Sequence, residues 1–238
     1  MDKKLFVLAG GFGTRLKPLV SDVPKPLAPV LQKPFLEYLL LNWKRQGIKE
    51  IILLLYHEAE KIKSLISDMR QSGALDDMLV LTITEYQPLG TGGAILNAIS
   101  ELRVQDSFLV VNADTWLSCG LSLLIEAGPN SMGTIKVPDV ARYGNVNIKE
   151  GYVQSFNEKS GHIKPGWINA GIYHLSPEIF YNHKLQEAFD IEKTILPSLA
   201  LKSKFKAIKL DTDFIDIGIP EDYLRFCNWV EEGRVNEI

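Results

Sequence analysis

Leu5-Phe6-Val7-Leu8-Ala9-Gly10-Gly11-Phe12-Gly13-Thr14-Arg15-Leu16, followed by Pro24-Lys25-Pro26, is the stretch on which the fold turns. A strand-length apolar run enters a turn holding three glycines, and two cations follow at Arg15 and Lys25. Glycine admits positive φ and lets a ligand approach the backbone closely. Successive free N–H groups in such a turn form an anion nest, to which arginine and lysine add full charges. The expectation is a polyphosphate cradle at the carboxyl end of a first parallel strand, where open α/β sheets bind their ligands. Two well-known phosphate loops are excluded by spacing. No Lys-Ser or Lys-Thr follows Gly13, as a Walker loop requires, and Leu16 stands where a G-x-G-x-x-G fingerprint needs its last glycine.

Outward from this stretch, strands and helices alternate. Pro34 opens a helix carrying Phe35, Leu36, Leu39 and Leu40, and Gly47 stops it. Ile51–Leu55 is a continuous apolar run, as expected of a parallel strand covered on both faces. A second helix is expected from Glu58 to Met69, a strand over 79–84, a third helix from Gly92 to Leu102, and a fourth strand over 108–111. After about residue 130 the rhythm changes to mixed strands over 133–137, 145–148, 152–156, 167–175 and 205–210, with a turn at Glu150-Gly151. A short helix starts at Pro177, and a closing one runs from Pro220 to Val230. The expected class is a Rossmann-like three-layer α/β/α fold with a mostly parallel mixed central sheet. One domain spans residues 1–238: a nucleotide-binding half to about 130, then a sugar-binding half from about 131 to the end. No repeat or low-complexity linker divides them.

Composition narrows the function classes. A chain of 238 residues with 46% hydrophobic content and a net charge of −3 is an ordinary globular protein rather than a bulk nucleic-acid binder. Cys119 and Cys227 form no C-x-x-C, so neither a zinc site nor a disulfide framework is expected. The four histidines, His57, His162, His174 and His183, lack metal-ligand spacing. No apolar run approaches the ~20 residues of a membrane span. The expected location is the cytoplasm, with no membrane partner. Nothing in the sequence sets the oligomeric state, and a homo-oligomer stays open.

The pattern L-A-G-G-x-G-T-R-L with a later P-K-P resembles the signature of sugar-1-phosphate nucleotidyltransferases, and further motifs in the order of that family extend the resemblance to about Tyr223. The resemblance implies two small-molecule substrates, an NTP and a sugar 1-phosphate. Leu8, Ala9, Gly10, Gly11, Gly13, Thr14 and Arg15 would hold the NTP phosphates, and Lys25 would sit beside the α-phosphate under attack. Asp114 ends the apolar strand Val110-Val111-Asn112-Ala113, and hard carboxylate oxygens there suit Mg²⁺. The family's late D-x-G-x-P-E-D motif matches Asp216 in Asp216-Ile217-Gly218-Ile219-Pro220-Glu221-Asp222, implying the second metal ligand. Asp211 and Asp213 compete for that role, but only Asp216 carries the glycine two residues on. Arg15, Lys25 and Asp114 are therefore the expected catalytic residues, with Mg²⁺ as cofactor.

Three further elements follow from the resemblance. Gln87-Pro88-Leu89-Gly90-Thr91-Gly92-Gly93 matches the element that lies along the nucleoside, implying base contacts from Gln87, Gly90, Thr91 and Gly92. Tyr143-Gly144-Asn145-Val146 resembles the element closing over the sugar, which assigns Gly144. Glu158-Lys159 matches the family's E-K-P except that Ser160 replaces the proline, and Asn169 in Asn169-Ala170-Gly171-Ile172-Tyr173 is expected to face the sugar. The chain ends before the acyltransferase repeats that some family members carry, so no C-terminal β-helix is expected. Residues 21–30, 34–40 and 88–94 look most like the D-glycero-α-D-manno-heptose 1-phosphate guanylyltransferase branch. The alternatives are another NTP and sugar pair, or a relative that binds nucleotide sugars without catalysis. Retention of Arg15, Lys25, Asp114 and Asp216 favours the enzyme.

Overall fold

The computed structural model describes residues 3–13, 15, 16, 18–20, 22–157 and 163–235. In chain order the elements are β1 (Lys4–Leu8), β2 (Pro29–Val30), β3 (Lys33–Pro34), α1 (Phe35–Arg45), β4 (Glu50–Leu55), α2 (Ala59–Gln71) and β5 (Leu79–Thr84). Then come α3 (Gly90–Glu101), β6 (Phe108–Asn112), β7 (Thr115–Leu117), α4 (Leu121–Ala127), β8 (Ser131–Val137), β9 (Asn145–Lys149) and β10 (Tyr152–Asn157). The last are β11 (Gly166–Leu175), α5 (Ile195–Leu201), β12 (Lys206–Leu210), β13 (Phe214–Asp216) and α6 (Pro220–Glu231). Single 3-10 turns occupy Lys25–Leu27 and Pro177–Phe180.

The chain forms two compact units, and neither is continuous in sequence. The first comprises Met1–Pro88, Asn112–Ser118 and Asp213–Ile238. Its strands run in the order β5-β4-β1, all parallel, with Leu5 opposite Ile51 and Ile51 opposite Val80. Strands β1 and β4 are buried on both faces, which is why they read as unbroken apolar runs, whereas β5 is only partly buried and carries Thr82 and Thr84. A separate two-stranded antiparallel ladder joins β7 to β13. Phe226 of α6 fastens this ladder to α1: its ring lies 4.8 Å from Phe35 and 5.3 Å from Trp116, and all three side chains are buried.

The second unit comprises Leu89–Val111 and Cys119–Thr212. Its strands run in the order β6-β11-β8-β12-β10-β9. Strand β11 is antiparallel to β6 and β8, β12 is parallel to β8, and β10 is antiparallel to β12 and β9. Among the described residues of this unit β6, β8, β9 and β12 therefore share one direction, and β10 and β11 oppose it. Unlike the all-parallel β5-β4-β1 set, this unit holds four strands in one direction and two against it, a mixed arrangement as the change of rhythm after about residue 130 predicts. His174 is a core histidine. Its Nδ1 donates to the Leu124 carbonyl at 2.9 Å, and its Nε2 accepts from Ser107 Oγ at 2.9 Å.

Several elements depart from sequence expectation. Helix α3 begins at Gly90, two residues before the expected Gly92. Pro34 is the residue before α1 rather than its first helical residue. Helices α4 and α5 were not expected. Pro197 in α5 argues against a helix, yet it sits at the third helical position, where no intrahelical partner requires its missing N–H. Strands β7 and β13 have three residues each, too few for any periodicity. No helix among the described residues is long and apolar enough to cross a membrane.

Candidate active site

The glycine loop leaves β1 between two neighbours. Ala9 donates its N–H to Leu54 O at 3.0 Å, and Ala113 donates its N–H to Leu8 O at 3.1 Å. These bonds set the loop at the carboxyl end of β1, with Asp114 beside it. Gly13 has φ +59°, and a Cβ there would stand 2.9 Å from Lys25 Cβ. A Cβ at Gly11 would meet nothing within 4 Å, which leaves the backbone open to a ligand. The loop borders a cavity of about 190 Å³ whose charged walls are Arg15, Lys25 and Asp114. Ala9, Gly11, Gly13 and Gly218 supply backbone around it.

Gly13→Ala is expected to lower kcat/KM for the nucleotide about tenfold or more, because small misplacements of a phosphate cradle are costly. The substitution forces a left-handed alanine, at about 1–2 kcal/mol, against Lys25. Steady-state kinetics check this, and a variant with wild-type kcat/KM would remove Gly13 from the cradle.

Lys25 is the hub of the site. Its Nζ donates to Asp114 Oδ2 at 2.5 Å and stands 3.6 Å from Asp216 Oδ1. Asp114 Oδ1 accepts from Thr115 Oγ1 at 3.1 Å, and Asp216 Oδ1 accepts from Gly218 N at 2.7 Å. The two carboxylates are brought together by the β7–β13 ladder, which pairs Thr115 with Asp216, and by Ile217 N donating to Asp114 O at 2.9 Å. A Cβ at Gly218 would lie 3.1 Å from Lys25 Nζ and 3.4 Å from Arg15 Nη2, so glycine leaves room for both cations. Burial pushes the Asp216 carboxyl above its ordinary range, the Asp114 charge adds to the shift, and Lys25 opposes it. Asp213 has a different partner: it forms an ion pair with Arg234.

The two aspartates fit a divalent cation. Both are hard oxygen donors already gathered around one positive group, and Mg²⁺ is bound by one or two carboxylates completed by substrate phosphates. No cluster of three or more His, Cys, Asp or Glu suited to a metal occurs among the described residues. Substrate oxygens and water would therefore complete the coordination.

Gln87 follows β5 in the first unit, whereas Gly90, Thr91 and Gly92 belong to the second. There the glycines have a packing cause that the sequence did not reveal. A Cβ at Gly92 would come within 2.1 Å of the Phe189 ring, one at Gly90 within 2.6 Å of Phe189 O, and one at Gly93 within 2.7 Å of Glu187 O. Phe189 and Glu192, which grip this turn, carried no sequence signal. Gly144, with φ +81°, ends the turn before β9 and donates its N–H to Val140 O at 3.0 Å. Asn169 spans a bulge in β11, accepting from Gly171 N at 3.0 Å and donating to Tyr173 OH at 2.7 Å. Thr14, Glu158 and Lys159 lie outside the described residues, as does His162.

A cavity bounded by a glycine loop, two cations and Asp114, with Asp216 held beside Lys25, suits the phosphates of a nucleotide and a divalent cation. The nucleotidyl transferase family profile matches residues 4–233, and the chain belongs to that family. It is 40% identical over 225 residues to a D-glycero-α-D-manno-heptose 1-phosphate guanylyltransferase of Campylobacter jejuni, covering 92% of this chain and 96% of that protein. A protein of the same name from Aneurinibacillus thermoaerophilus is 33% identical over 222 residues, with 91% and 94% covered. Among solved structures, HddC from Yersinia pseudotuberculosis complexed with GMP-PN superposes with a TM-score of 0.83 at 37% identity, covering 96% of this chain and 99% of that one. A UDP-glucose pyrophosphorylase from Acinetobacter baumannii, 21% identical with a TM-score of 0.79, shares the fold.

Proposed function

We propose that this chain joins GTP to D-glycero-α-D-manno-heptose 1-phosphate, giving GDP-heptose and pyrophosphate. The observation that carries the chemistry is the convergence of Lys25, Asp114 and Asp216 at the glycine-loop cavity. The choice of base and sugar is supported by the 40% identity to a guanylyltransferase for that sugar.

The sugar-phosphate oxygen attacks the α-phosphorus of GTP, the bond from that phosphorus to the bridging oxygen breaks, and pyrophosphate leaves. Such transfer needs positioning and charge neutralisation more than covalent help. Main-chain N–H groups of the glycine loop hold the phosphate chain. Lys25 neutralises charge that builds on the α-phosphoryl oxygens, and Arg15 does the same toward the leaving pyrophosphate. Asp114 and Asp216 would hold Mg²⁺, which would supply positive charge to the substrate phosphates. Gln87, Gly90, Thr91 and Gly92 read the base. Gly144, Glu158, Lys159 and Asn169 receive the sugar phosphate. The whole chain acts as one catalytic domain in the cytoplasm, with a nucleotide-binding half followed by a sugar-binding half.

The test is pyrophosphate release with Mg²⁺, crossing five NTPs with heptose, mannose, glucose and N-acetylglucosamine 1-phosphates. A maximum at GTP with the heptose phosphate is expected. A maximum elsewhere would discard the assigned pair and keep the reaction. Nucleotide binding without pyrophosphate release across the grid would replace the enzyme with a binding subunit.

A further inference from the structure

The turn that opens α3 is held from outside by the segment Glu187–Glu192. Phe189 donates its N–H to Leu89 O at 2.9 Å, and its carbonyl accepts from Gly92 N at 2.8 Å and Gly93 N at 3.2 Å. Two of the orphan donors of the helix N-terminus are thereby satisfied. Thr91 lies between these bonds. Its hydroxyl accepts from Ile191 N at 2.9 Å and donates to Glu192 Oε2 at 2.7 Å, so both hydroxyl roles are filled. Ile191 is completely buried and anchors the segment.

Gly90, with φ +69°, has no side chain through which it could be braced. A turn of three glycines around one threonine is soft by itself, because glycine carries the largest backbone freedom. Here the threonine hydroxyl is the only side-chain handle inside the Gly90–Gly93 turn, and the Glu192 carboxylate orients it. We propose that Glu192 is a positioning residue for base recognition: it fixes Thr91 and so the Leu89–Thr91 backbone that meets the base of the nucleotide. This rests on the reading of Gly90 and Thr91 as base contacts.

The test compares Glu192→Ala, Glu192→Gln, Thr91→Val and the Glu192→Ala/Thr91→Val double variant. Its readouts are kcat, KM for GTP, KM for heptose 1-phosphate, thermal midpoint and residue-resolved amide exchange with and without GTP. Glu192→Ala is expected to raise KM for GTP about tenfold, the scale of one charge-assisted hydrogen bond. KM for the sugar phosphate should stay within about twofold, since that substrate does not meet this turn. Glu192→Gln, whose amide oxygen still accepts from Thr91, should restore most of the loss. Thr91→Val also removes the bond from Ile191 N, but in the double variant Glu192→Ala should add little to Thr91→Val, because the hydroxyl that Glu192 orients is already gone. A wild-type KM for GTP in Glu192→Ala would overturn the proposal, as would equal losses for both substrates with a lowered thermal midpoint. Failure of the underlying reading has its own signature: GTP would leave amide exchange at Leu89–Thr91 unchanged in the wild-type protein.

Discussion

Asp114→Asn is expected to lower kcat by about two orders of magnitude or more at saturating substrates, on the scale of a lost electrostatic element in a phosphoryl-type transfer. The replacement is nearly isosteric and removes one negative charge. The amide oxygen can still accept from Thr115 Oγ1, and the β7–β13 ladder does not depend on the side chain. The Lys25 partner loses the charge it now contacts at 2.5 Å, and one of the two carboxylates proposed to hold the cation becomes neutral. Asp114 keeps about a third of its side chain exposed (32%), so solvent screens its ion pair and the thermal midpoint should move only a few degrees. Pyrophosphate release and a melting curve on the same preparation separate the two effects. A variant with near-normal kcat at saturating Mg²⁺ would take Asp114 out of the reaction, whatever happens to its stability.

Lys25→Met carries the second large effect. Methionine keeps much of the apolar stem and removes the ammonium, so packing against Gly13 survives while the charge is lost. Only 10% of the Lys25 side chain is exposed, and its Nζ faces both aspartates, so water replaces it poorly. The expected fall in kcat is about 10²- to 10³-fold, comparable with removal of one preorganised donor from a transition-state site. Lys25→Arg should not restore the rate. A planar guanidinium cannot occupy the place of a compact ammonium between Asp114 Oδ2 and Asp216 Oδ1. A lower thermal midpoint with an intact kcat would make Lys25 a structural pin that merely holds two carboxylates together. The two outcomes cannot be confused when kcat is measured well below the melting temperature.

Most of the architecture was legible in the chain because it is locally encoded. Strands β1 and β4 announce themselves as apolar runs, and α1 and α2 as amphipathic patterns between recognisable stops. Elements shorter than the period that would reveal them were not legible. Three residues of β7 or β13 carry no periodicity, and α5 hides behind Pro197. The glycine two residues on separates Asp216 from Asp211 and Asp213 in the sequence, and Asp213 and Asp216 have different partners in the structure. Asp213 pairs with Arg234 while Asp216 faces Lys25.

Glycine had two causes that look alike in one dimension. At Gly11 the missing Cβ opens the backbone to a cavity; at Gly92 it admits the Phe189 ring. The amino-acid sequence by itself determined the parts of the cradle: the strand, the glycine turn and the cations Arg15 and Lys25 lie within one short stretch, where local residue types record them. Tertiary structure alone decided that Asp114 meets Asp216 across the β7–β13 ladder, and that Phe189 and Glu192 close on Gly90–Gly93. These contacts join residues about a hundred positions apart in sequence. Burial of Trp116 against Phe226 and of Ile191 beneath its segment sets them, and no local pattern records which distant partners such packing will bring into reach.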